Sequence, residues 1–119
     1  MTAHPAPPHV FHGLSPDRVI GLAEKALGRR CTNLCRSLNS YINRVFELEY
    51  EEPEDGETGL VIKFYRPGRW TRCALLDEHI FLGELRDLEI PVIAPLTMAD
   101  GATLGSWGRI LFTCFPKCG

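Results

Sequence analysis

Apolar positions recur at helical spacing early in the chain. Val19, Leu22, Ala23, Ala26 and Leu27 follow Ser15-Pro16-Asp17, which reads as an N-cap with proline at the first helical position, and Gly28 closes the segment. Over 44–50 the pattern changes: Val45, Phe46 and Leu48 are interleaved with charges, predicting a strand. The stretch 51–59 is acidic and holds Pro53 and Gly56, predicting a hairpin loop, and 60–65 is a β-rich run that pairs back on the first strand. Pro67-Gly68 ends it. Helical spacing resumes over 70–86, with Leu75, Leu82 and Leu85 on one stripe. A short strand is expected at 91–96, a turn at Ala99-Asp100-Gly101, and a last strand at 109–115, broken by Pro116. Residues 1–14, with Pro5, Pro7 and Pro8, read as an extended arm ahead of a folded unit at 15–119. Hairpin-linked strands with a packed helix make an antiparallel α+β layer.

Two charged residues interrupt that pattern. In the run 60–65 side chains alternate, so Val61, Lys63 and Tyr65 share one face while Leu60, Ile62 and Phe64 share the other. Lys63 therefore lies mid-strand beside apolar neighbours, where an unpaired ammonium is costly. Glu78 falls on the stripe of Leu75, Leu82 and Leu85 and is expected to aim inward, with Lys63 as its cation. A strand lysine that reaches the α- and β-phosphates of ATP, held by a glutamate of the following helix, is the arrangement of protein kinases. In that signature an apolar residue two before the lysine lies against adenine, here Val61. A snorkelling surface lysine and a rim glutamate would fit the pattern as well.

Composition narrows the alternatives. The 119 residues suffice for one domain, and 45% hydrophobic with 24% charged residues is globular usage. A formal net charge of −2 gives no bulk drive toward nucleic acid or anionic lipid. The basic, aromatic stretch Tyr65-Arg66-Pro67-Gly68-Arg69-Trp70 is offset by the acidic loop, and Trp70 reads as a core or helix anchor rather than a base-stacking platform. No run approaches a membrane span, and no secretory leader is present, so a cytoplasmic home is expected. Cys31, Cys35, Cys73, Cys114 and Cys118 are expected to be reduced; the two C-x-x-x-C pairs are looser than a zinc knuckle and read as small hydrophobes.

Several segments resemble the bacterial stress response kinase A family, within the aminoglycoside phosphotransferase and choline kinase superfamily. They are Leu38-Asn39-Ser40-Tyr41-Ile42-Asn43-Arg44-Val45-Phe46, Val61-Ile62-Lys63-Phe64-Tyr65-Arg66-Pro67 with Arg69-Trp70-Thr71, Asp77-Glu78-His79, Ile90-Pro91-Val92-Ile93-Ala94-Pro95 and Leu111-Phe112-Thr113-Cys114-Phe115-Pro116. The resemblance implies a protein kinase-like N-terminal lobe: an antiparallel sheet of about five strands, an αC-type helix and an extra N-terminal helix. It implies that Ser40 lies in the loop over the nucleotide phosphates, though this loop lacks the glycines of a generic phosphate loop. It further implies that Lys63 anchors phosphates, Glu78 orients Lys63, and Cys114-Phe115-Pro116 forms the hinge whose backbone contacts adenine. The family is described as transferring the ATP γ-phosphate to protein serine and threonine with Mg²⁺. The H-G-D-x-x-x-x-N and D-x-D motifs that supply the catalytic base and the metal ligands do not occur between Met1 and Gly119. The chain alone is accordingly expected to hold ATP weakly and to transfer nothing, and to be a monomer or to self-associate weakly through Val61, Leu104, Phe112 and Phe115. A small-molecule kinase and a non-catalytic interaction module are the other readings.

Overall fold

A computed structural model describes residues 11–38, 40 and 42–117. Helix α1 (Pro16–Leu27) begins as its sequence suggests: the Ser15 hydroxyl accepts from the Arg18 N–H at 3.2 Å. Gly28 ends it with φ 69, a left-handed cap open to glycine at little expense. Five strands follow, β1 (Cys31–Leu38), β2 (Arg44–Glu54), β3 (Glu57–Phe64), β4 (Gly105–Trp107) and β5 (Ile110–Pro116), with helix α2 (Arg72–Asp87) between β3 and β4. All pairings are antiparallel and the order across the sheet is β1-β2-β3-β5-β4. This α+β layer is consistent with a kinase-like N-terminal lobe.

The sheet differs from the sequence expectation at four places, one being β4, which falls in none of the predicted strands. The acidic stretch 51–59 is not a long loop, because β2 and β3 run on to a two-residue turn at Asp55-Gly56. Both turn residues have positive φ, 51 and 81, which matches the twist of a tight hairpin. Segment 91–96 forms no strand; Pro91 and Pro95 have no N–H for a ladder, and only Leu96 N–H reaches β5, at the Cys114 carbonyl (2.8 Å). Strand β1, unforeseen, is an edge strand whose register shifts between Cys31 and Cys35, so its residues do not alternate cleanly.

Each face of the sheet carries one helix. Leu48, Leu60, Ile62, Phe64 and Cys114, all 0% exposed, point to α1 and meet its Val19 and Ala23. Of the expected arm, residues 1–10 lie outside those described, while Phe11 is buried in this same core. On the opposite face Tyr65, Leu75 and Leu104 form a smaller cluster under α2, joined by Trp70, Leu76 and Leu111. Trp70 packs edge-on to Tyr65, with ring centroids 5.6 Å apart, and so anchors the entry to α2.

Candidate functional site

Strand pairing brings distant residues onto the α2 face in two rows. One is Leu38, Val45, Lys63 and Thr113; the other is Arg36, Glu47, Val61 and Phe115. Directly opposed residues share a face, so Lys63 has Val45 and Thr113 at its sides and Val61 two residues before it. Val61, Lys63 and Phe115 are half-buried. The pairing of β3 with β5 therefore gathers Val61, Lys63 and Phe115 on one face. Ser40 is half-buried in the connection from β1 to β2; its neighbours Asn39 and Tyr41 lie outside the described residues. Asn43, in the same connection, is buried, and its side-chain oxygen accepts from the Arg66 N–H at 3.1 Å, tying the connection to the end of β3.

Glu78 does not point inward. It is exposed, and the inward positions of α2 are Leu75 and His79. Offsets of three and four from Leu75 both fall on its side of the helix, and packing selects the fourth. Among the described residues no ion pair joins Lys63 to a carboxylate. Its Nζ instead stands over the Tyr65 ring, 5.3 Å from the centroid. Burial pushes the Tyr65 phenol up, the Thr113 hydroxyl pulls it partly back, and the charge of Glu78 pushes it up again. Lys63 and Glu78 thus both flank Tyr65 without meeting.

His79 is given no role by the sequence beyond its place in the Asp77-Glu78-His79 segment. It is 5% exposed; Nδ1 lies 2.7 Å from Thr103 Oγ1 and Nε2 lies 3.4 Å from Thr113 Oγ1. Burial holds the imidazole below its ordinary value of 6.5, against the pull of Glu78. A neutral ring between two hydroxyls, each able to donate or accept, has both nitrogens partnered, and among the described residues no buried side-chain N or O atom is left unpaired.

A second polar group on this face was also missed. Glu47 is 8% exposed, bonded to Arg36 and, at 2.6 Å, to Lys117 Nζ. The hydrogen bonds from Lys117 and then Arg36 hold its carboxyl below the ordinary range. It therefore stays ionised beside Val61 and ties the end of β5 to β1.

The cysteines do not gather into a reactive cluster among the described residues. Cys31, Cys35, Cys73 and Cys114 are free, and Cys118 lies outside those described. Burial, as the first cause, pushes Cys31 to about 11 and Cys114 to about 12, so neither is a thiolate near neutrality. Among the described residues no three His, Cys, Asp or Glu side chains come together to hold a metal ion, and no helix is long and apolar enough to cross a membrane. Leu104 and Phe112, expected bare, are each 4% exposed; the exposed apolar side chains include Ile80, Phe81 and Leu88 on the outer side of α2 and at its end. Phe112 is instead closed over by Gly105, where an added Cβ would meet its ring at 2.5 Å.

No family model matches the chain. Among known proteins it is 38% identical over 109 residues to a protein of Shigella flexneri named stress response kinase A, and 37% identical over 109 residues to the protein of that name from Escherichia coli strain K12. Each match covers 92% of this chain and 31% of the relative. A protein of Salmonella typhimurium named serine/threonine protein kinase RdoA is 40% identical over 82 residues, which is 69% of this chain and 24% of that protein. The chain is therefore similar to proteins named stress response kinase A along a span that equals 31% of their length.

Proposed function

We propose that this chain is the ATP-holding lobe of a serine/threonine protein kinase of the stress response kinase A type, acting in the cytoplasm on protein hydroxyls. The observation that carries the reading is Lys63: a half-buried ammonium in the middle of a sheet face, without a carboxylate partner among the described residues. A cation so placed is costly unless it serves an anion, and a nucleotide's phosphates are such an anion. Val45, Val61 and Phe115 beside it offer an apolar seat for adenine. Ser40 approaches the phosphates from the β1–β2 connection, and Glu78 adds negative charge on the helix side of Lys63 at longer range than an ion pair. These residues fit ATP. The described residues do not fit Mg²⁺, because no three His, Cys, Asp or Glu side chains come together among them. The kinase names of the relatives support the kinase chemistry.

Titrating the chain with ATP while following backbone amide signals tests this. Shifts are expected at Val45, Val61, Lys63 and Phe115, and Lys63→Ala is expected to weaken binding about tenfold, the scale of one hydrogen bond to a charged group. Shifts confined to the α1 face, or binding indifferent to Lys63→Ala, would overturn the reading.

A further inference from the structure

A strand lysine needs something to fix its ammonium, since a four-carbon stem left free would present its charge in many directions. Here no carboxylate does so among the described residues. Four contacts form a continuous chain instead. Lys63 Nζ stands over the Tyr65 ring at 5.3 Å. Thr113, fully buried and the cross-strand neighbour of Lys63, faces the Tyr65 phenol and approaches His79 Nε2 at 3.4 Å. His79 Nδ1 is held at 2.7 Å by Thr103, in the segment leading into β4. Tyr65 itself is 4% exposed and wedged against Leu75 and Trp70, so its ring has little freedom to turn.

We infer that Tyr65 and His79 are positioning residues for Lys63: the aromatic face seats the ammonium, and the Thr103–His79–Thr113 chain locks that ring and helix α2 to the sheet. Helix α2 then governs the phosphate site through a neutral imidazole on its inner side. This rests on the reading of Lys63 as the phosphate anchor. The charged and titratable groups around the chain are Glu78 from α2 itself and Lys63 and Tyr65 from β3 and its end. Glu78 is the competing candidate, because its charge reaches both Tyr65 and His79.

The contact can be read without any nucleotide. In the chain labelled with ¹³C-lysine, the ε-methylene protons of Lys63 lie in the shielding region of the Tyr65 ring. They are expected upfield of those of Lys25 and Lys117, with Lys63→Arg identifying the signal. Tyr65→Phe keeps the ring and should keep the shift, whereas Tyr65→Leu should collapse it. His79→Leu should move and broaden it, and His79→Gln, whose amide can still bridge two hydroxyls, should restore it in part. ATP affinity should fall about two- to fivefold in Tyr65→Leu, the scale of one exposed cation–aromatic contact. A Lys63 signal among the other lysines in the unsubstituted chain would overturn the inference. So would a shift that follows Glu78→Gln and ignores His79→Leu. If the ring shift is present but Lys63→Ala leaves ATP binding unchanged, the phosphate reading fails while the contact stands.

Discussion

Phe64→Leu is the most direct probe of the layer that holds Lys63 in place. Phe64 follows Lys63 on β3, is 0% exposed, and points to the opposite face. Its ring meets Phe46 edge-on at 6.0 Å and Phe112 tilted at 5.5 Å. Leucine keeps most of the apolar bulk but removes both ring pairs, each about 0.5–1.5 kcal/mol beyond area burial. The expected loss is therefore about 1–3 kcal/mol, a sizeable part of the roughly 5–15 kcal/mol that holds an ordinary domain together. Phe64→Ala, which also leaves a cavity, should lose about 3–5 kcal/mol. Urea unfolding followed by Trp70 and Trp107 fluorescence measures both, with the midpoint falling and the slope unchanged. A double-mutant cycle with Phe112→Leu should show a coupling of about 0.5–1.5 kcal/mol. The reasoning is refuted if Phe64→Leu unfolds within about 0.5 kcal/mol of the parent, or if the two substitutions simply add.

Gly59→Ala would place a Cβ 2.2 Å from the Leu48 carbonyl oxygen, a backbone atom that can yield only if β2 moves. It should destabilise by about 2–3 kcal/mol or more, and a parent-like urea midpoint would show that the strands do not approach so closely. Acid should weaken the fold in two stages. Below the ordinary value of 6.5 the unfolded chain protonates His79 while the folded one resists, so stability falls as the pH drops. Glu47 acts similarly lower down: its contribution is whole above its ordinary value of 4.5 and is lost as the pH falls through the depressed folded value. Urea midpoints at about pH 7.5, 5.5 and 3.5 should decline in order. The first drop should shrink in His79→Gln; a flat profile between the two higher values would contradict the burial of the imidazole.

Local chemistry alone located the start and end of α1, the body of α2, the cores of β2 and β3, and the face that Lys63 shares with Val61 and Tyr65. Those features depend on neighbours within a few residues: a capping hydroxyl at Ser15, a left-handed glycine at 28, alternation along a strand. The composition of 51–59 and 91–96 misled, because an Asp-Gly turn can carry two acidic strands to its edge, and prolines remove the donors a strand requires. Which of Glu78 and His79 turns inward was beyond local pattern, since both lie within one helical step of the Leu75 stripe. Thr103 and Thr113 decide it, from segments far along the chain, by offering two hydroxyls that suit an imidazole. The same holds for Glu47, whose partners Arg36 and Lys117 arrive from the first strand and from beyond the last. Periodicity assigns a residue to a face; only the folded chain brings the opposing groups that determine what a buried charge or ring can do there.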